Sequence, residues 1–163
     1  MRKMLIEIMK EIMKEDPLTY FLIGDVGGEI FNEIKKDFPK KIINIGINEQ
    51  AMIGMSAGMA LEGLRPYVYS ITPFILERPF EQIKLDIVQQ NANVKLLGYW
   101  NYPNAGPTHF TKEPEKICNI LGLEYFSPKN SLELKTSIIK MHYQEKPAFF
   151  YLTKEKKQNE NVK

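Results

Sequence analysis

Tyr20-Phe21-Leu22-Ile23-Gly24-Asp25 is an unbroken apolar run closed by two turn residues. A run this short, with no polar side chain alternating along it, is the pattern of a strand buried on both faces, and such strands belong to parallel sheets. Working outward, a short helix is expected around Phe31 to Lys36. Further strands follow at Ile42 to Ile45, Tyr67 to Ile71, Val94 to Gly98, Glu124 to Phe126 and Ala148 to Leu152. Helical spacing of apolar residues fills the intervals at Glu49 to Leu61, Pro79 to Gln90, Glu113 to Leu121 and Ser131 to Tyr143, and precedes the first strand at Met4 to Met13. Strand and helix alternate throughout, so the expected fold is α/β: a parallel six-stranded sheet with helices on both faces.

The chain has 163 residues, 44% hydrophobic and 26% charged, which suits one compact domain over residues 1–153. The stretch 154–163, Lys-Glu-Lys-Lys-Gln-Asn-Glu-Asn-Val-Lys, has a single apolar residue and is expected to be a disordered polar tail. A net charge of +2 implies neither a nucleic-acid surface nor a polybasic membrane anchor. One cysteine, Cys118, excludes an internal disulfide and a cysteine-cluster metal site. Glu7, Lys10 and Glu11 interrupt any signal-peptide core. A cytoplasmic protein with no nucleic-acid or membrane partner is expected.

In an open parallel sheet the ligand crevice lies beyond the carboxyl ends of the strands, which directs attention to residues 24–29, 46–50, 72–78 and 99–109. Glu49 stands where a buried strand meets a helix whose next turns are small: Ala51, Gly54, Ser56, Ala57, Gly58 and Ala60. The plain account is a first-turn acid favoured by the helix dipole, worth ~0.3–1 kcal/mol. The sharper one is a helix packed closely on a partner, holding Glu49 in a buried site suited to proton transfer. Spacing alone favours the plain account. His109 ends a loop of aromatic and turn-forming residues on the ligand side, which raises it above a surface histidine. His142 is expected on the polar side of a late helix. Gly24-Asp25-Val26-Gly27-Gly28 lacks the lysine and serine or threonine of a phosphate loop and is a turn when taken alone. Phe74 and Ile75, directly after a strand, are ordinary core residues until a ligand is proposed.

Taken together, the ordered segments Asn44-Ile45-Gly46-Ile47-Asn48-Glu49-Gln50-Ala51-Met52-Ile53-Gly54, Ser56 to Gly63, Arg78-Pro79-Phe80-Glu81-Gln82-Ile83, Asn93-Val94-Lys95 and Gly106-Pro107-Thr108-His109 resemble the pyrimidine-binding domain of the transketolase family. The resemblance runs from about Tyr20 to Leu152. It implies the thiamine-diphosphate-binding fold of that domain and a carbohydrate-metabolising transferase that moves a two-carbon ketol unit. Glu49 matches the glutamate that hydrogen-bonds N1′ of the cofactor's aminopyrimidine and so promotes loss of the proton from its thiazolium C2. Asp25 matches an aspartate near the cofactor, and His109 a histidine facing the substrate's reacting end. Ile75 aligns with the family's stacking aromatic, so Phe74 must substitute for it or the stack is weakened.

The departures carry implications of their own. Where the family binds sugar phosphates through a serine, an arginine before a proline and polar loop residues, this chain has Glu29, Ser127 and Ala105. A glutamate repels a phosphate. The expected substrate is therefore an unphosphorylated, amino-bearing or nucleotide-linked sugar, or a small 2-oxo acid, rather than a standard pentose phosphate. The Gly-Asp-Gly motif by which the family holds Mg²⁺ and the diphosphate is not found in these residues, and the family's carboxy-terminal domain is not expected. A diphosphate-binding subunit like the family's amino-terminal domain is expected to supply the metal half, with this chain binding no metal itself. Two copies of each would form an α2β2 heterotetramer, this chain dimerising within it. Alternatives are a small subunit of a thiamine-diphosphate-dependent 2-oxo acid decarboxylase and a non-catalytic module that kept the fold.

Overall fold

The computed structural model describes residues 1–153, so the expected polar tail at 154–163 lies outside the described residues. Six strands, β1 (Thr19–Ile23), β2 (Ile42–Asn44), β3 (Arg65–Ile71), β4 (Lys95–Tyr99), β5 (Glu124–Phe126) and β6 (Ala148–Leu152), form one sheet in the order β2-β1-β3-β4-β6-β5. Every pairing is parallel. The central strands are apolar on both faces, as the unbroken hydrophobic runs require: Phe21, Leu22, Val68, Tyr69, Leu96 and Leu97 have no exposed surface.

Handedness sorts the helices. A parallel crossover is right-handed, so connections running one way along the sheet lie on one face and those running back lie on the other. From β1 out to β2, and from β5 back to β6, the connections are α2 (Gly28–Asp37) and α7 (Ser131–Tyr143). They share a face with α1 (Arg2–Glu15), whose Leu5, Ile6, Ile8, Met9, Ile12 and Met13 recur at helical spacing and are all buried. The opposite face carries α3 (Glu49–Leu61), α4 (Thr72–Leu76), a short α5 (Phe80–Gln82) and α6 (Pro114–Leu121). Strand order reverses between β1 and β3. The turns after these strands border the crevice where such sheets bind ligands.

One element has no structure assigned from the sequence and one departs from expectation. After β3, Pro73, its missing amide harmless in a first turn, starts the one-turn helix α4. The expected regular helix over 79–90 is instead α5 followed by a π-helix at Ile83–Val88, with Gln89 N–H reaching back to the Lys84 carbonyl (3.0 Å). The wider turn keeps Ile83 and Ile87 both fully in the core. At Gly98 the backbone of β4 passes so close to Phe149 that an added Cβ would stand 2.4 Å from the ring.

His142 corrects its expected place. It is 6% exposed, with Nδ1 3.0 Å from the Tyr67 hydroxyl and Nε2 3.3 Å from an Asp16 carboxylate oxygen. The polar partners come from β3 and the end of α1, which the spacing within α7 does not reveal. Burial, outweighing the Asp16 charge, lowers the imidazole's pKa from its ordinary value. Burial pushes Asp16 upward, but hydrogen bonds from Arg65, the Leu18 amide and Thr19 hold its carboxyl below the usual range.

Candidate active site

Glu49 is fixed by the turn that precedes it. The Asn44 side chain accepts from the Gly46 amide (2.9 Å), and Gly46, at φ +76, takes the left-handed conformation that turns the chain toward α3. Asn48 then caps the helix, accepting from the Ala51 amide (3.3 Å). This leaves Glu49 in the first turn with only 5% of its surface exposed. A carboxylate so buried requires a partner, and the partner is Arg78, whose Nη1 donates to Oε1 at 3.0 Å.

Arg78 continues the site. Its Cζ lies 3.4 Å from the centroid of the Phe74 ring, a stacked cation–π contact. Its carbonyl accepts from Gln50 Nε2 at 3.4 Å, tying this segment to α3. Phe74 in turn meets the His109 ring at 4.8 Å between centroids and 66° between planes. Glu49, Arg78, Phe74 and His109 therefore form one unbroken file of contacts across the carboxyl end of the sheet.

His109 is held by its own loop. Asn101 clamps the loop base by a reciprocal pair with Thr111, Nδ2 to the carbonyl at 2.9 Å and amide to Oδ1 at 3.1 Å. Within it the Tyr102 amide donates to the His109 carbonyl (2.8 Å) and the His109 amide to that of Gly106 (3.1 Å). The hydroxyl of Thr108 is 3.0 Å from Nδ1, so Nε2 is the ring nitrogen left for exchange with a ligand.

The other expected site residues are more scattered. Asp25 follows β1 at the crevice with φ +53; its amide donates to Asn44 Oδ1 (3.2 Å), and Asn44 Nδ2 donates to its carboxylate (3.1 Å). Strained backbone of this kind also marks Trp100, φ +47, at the end of β4. Ile75 has no exposed surface and packs into the core, whereas its neighbour Phe74 is half-buried and faces the file. Glu29, exposed on α2, lines a cleft of about 370 Å³ against α1 with Lys3, Ile6, Glu7, Ile30 and Glu33. Ser127 lines a cleft of about 540 Å³ beside the histidine loop, among Asn101, Phe110, Thr111, Tyr125 and Tyr151. Ala105 is exposed in the turn before Gly106.

Two residues not singled out from the sequence prove central. Arg78 is one of only three arginines in the chain and closes the segment after β3. Asn44 is the lone polar residue in an otherwise apolar strand run, Ile42 to Ile45, which is where a side chain with a fixed polar task stands out.

The residues suit an aminopyrimidine. A dry carboxyl group at a helix start can share a proton with a weakly basic ring nitrogen, and the Phe74 face offers a flat apolar contact. Among the described residues no group of three or more His, Cys, Asp or Glu side chains is placed to hold a metal, and no helix is long and apolar enough to cross a membrane.

Comparisons with known proteins show the family and the fold. The family of transketolase pyrimidine-binding domains matches residues 1–159. An apulose-4-phosphate transketolase subunit of Actinobacillus succinogenes is 34% identical over 107 residues, covering 63% of this chain and 34% of that protein. A 6-deoxy-6-sulfo-D-fructose transketolase subunit of a Clostridium species is 26% identical over 157 residues, covering 93% of this chain and 49% of its own length. A solved structure described as a split-gene transketolase in an inactive beta4 tetramer shares the fold with a TM-score of 0.85 at 24% identity, covering 94% of this chain and 50% of that one. The chain thus spans 34–49% of the length of the two sequence relatives.

Proposed function

The chain belongs to the transketolase pyrimidine-binding domain family, and from that premise we propose that it is the pyrimidine-binding subunit of a two-component, thiamine-diphosphate-dependent, transketolase-like enzyme of the cytoplasm. A second subunit holds the diphosphate and Mg²⁺ in an α2β2 assembly, and the reaction moves a two-carbon ketol unit between sugars. The observation that carries the proposal is the file from Glu49 through Arg78 and Phe74 to His109.

Thiamine diphosphate, when bound, supplies the carbon nucleophile. Glu49 holds the proton shared with the pyrimidine nitrogen, in a site dry enough that the hydrogen bond is not traded for water. Phe74 rather than Ile75 gives the ring its apolar face. Asp25, steadied by Asn44, borders the cofactor side of the crevice. His109, its Nδ1 occupied by Thr108, passes a proton through Nε2 at the reacting end of the sugar.

An atypical sugar fits the surroundings. Ser127 stands among the hydroxyl and amide groups of Tyr125, Tyr151 and Asn101 in a cleft that has no arginine and whose Lys112 and Lys116 are offset by Glu113 and Glu115, Lys116 being paired with Glu113 at 2.6 Å. The names of two relatives, for apulose 4-phosphate and 6-deoxy-6-sulfo-D-fructose, support an atypical sugar, the first of them phosphorylated and so not the unphosphorylated kind expected from Glu29. Glu29 serves as a substrate residue only if the sugar reaches the cleft between α1 and α2.

The test is Glu49→Gln in the complex reconstituted with a diphosphate-binding subunit. Turnover should fall by about 10²-fold or more while assembly, followed by sedimentation, is unchanged. Full turnover in the variant would overturn the assignment of Glu49.

A further inference from the structure

One guanidinium covers both surfaces that the proposed site offers an aminopyrimidine. Arg78 Nη1 occupies Glu49 Oε1 at 3.0 Å, and the carboxylate, 5% exposed, has little other accessible edge. The same guanidinium lies 3.4 Å over the Phe74 ring, the spacing that a stacked heterocycle would itself require. His109 already stands against that ring, so the stacked position is held by Arg78 alone among the described contacts. Two planar groups cannot fill one layer, and with Oε1 given to the guanidinium only Oε2 of the nearly buried carboxylate is left to a ring nitrogen.

We infer that Arg78 is a displaceable counter-ion that holds the place of the aminopyrimidine, so that cofactor entry is an exchange in which the guanidinium leaves Glu49 and Phe74 as the ring arrives. The side chain is built to leave. Arg78 is 37% exposed where Glu49 is buried, so its charge is rehydrated on release. Its backbone stays anchored through the Gln50 hydrogen bond, so displacement is a side-chain swing that needs no movement of α3. Arg78 is then a positioning residue: it keeps a buried carboxylate compensated until the ring replaces it. This inference rests on the proposed role of Glu49.

The direct test follows the guanidinium. In the full chain labelled with ¹⁵N-arginine, Arg2, Arg65 and Arg78 give three Nε–H signals, and Glu49→Gln should move that of Arg78 while leaving the other two in place. In the complex with a diphosphate-binding subunit, titration with thiamine diphosphate and Mg²⁺ should move the same signal. Calorimetry on that complex should show Arg78→Gln binding the cofactor about fivefold tighter than wild type, the change expected from relief of a half-exposed ion pair. Arg78→Lys, which keeps the charge but cannot lie flat on Phe74, should fall between them and guards against a folding defect in the glutamine variant. Equal or weaker binding by Arg78→Gln, with Glu49→Gln also weakened, overturns the exchange and leaves the role of Glu49 standing. Equal binding by wild type and Glu49→Gln, or no binding by any chain, overturns that role and the exchange with it.

Discussion

Phe74 and Ile75 are adjacent in a one-turn helix, yet one faces the crevice and the other fills the core. Phe74→Leu keeps the volume roughly and removes the flat face, so cofactor affinity in the assembled complex should drop about three- to tenfold, with thermal stability changed by less than about 1 kcal/mol. Calorimetry paired with a melt checks this; a stability loss without an affinity loss would return Phe74 to the core. Which of the two faces the ligand is not legible in the sequence, because an extended segment and a helix place neighbouring side chains differently and α4 gives no periodic signal in five residues. Glu49 and His109 lie in segments that follow strands, but spacing leaves Glu49 a plain first-turn acid, and its proposed role is legible only through the family resemblance. Arg78 belongs to a recognisable segment but shows no sign there of its task, since its partners arrive from α3 and α4 only through folding.

Gly98 shows what an element cannot tolerate. An alanine Cβ there would meet Phe149 at 2.4 Å and the Thr72 hydroxyl at 3.1 Å, at the junction of β4, β6 and α4. Gly98→Ala should destabilise the fold by about 1–3 kcal/mol, read from the urea midpoint. An unchanged midpoint would show that Phe149 moves aside freely. The strands are legible because buried parallel strands advertise themselves as unbroken apolar runs, and all six begin and end within two residues of expectation. The π-helix is not, because Ile83 and Ile87 sit four apart in either helix and periodicity cannot reveal the extra backbone atoms between hydrogen bonds.

At the scale of the molecule, α1, β3 and α7 meet in the buried cluster of Asp16, Arg65, Tyr67 and His142. The folded-state pKa of His142 lies below the unfolded value of 6.5, so the unfolded chain binds the proton first on acidification. The contribution of the neutral imidazole is complete above about pH 6.5 and is lost as pH falls below it toward the folded value. The melting temperature should therefore fall as the pH drops below about 6.5, and His142→Gln, which keeps an amide near Tyr67 but cannot titrate, should flatten that slope. Equal slopes in both chains would assign the acid sensitivity elsewhere. The cluster is illegible in the sequence because its contacts between α1, β3 and α7 span 49 or more positions, only Arg65 and Tyr67 being near neighbours in the chain. Sheet order is equally hidden: six runs can be counted along a chain, but the insertion of β6 between β4 and β5 is a fact of packing.

Both borders of the sheet are its shortest strands, three residues each in β2 and β5, against five to seven in the interior. A border that short offers too few free amides and carbonyls to template another chain, a safeguard against runaway stacking into fibrils. Ile47, Met55 and Leu61, meanwhile, stand exposed on or just before α3. Any association this chain enters is thereby channelled through side-chain complementarity of helices, which closes at a defined stoichiometry, and away from strand addition, which has no natural end.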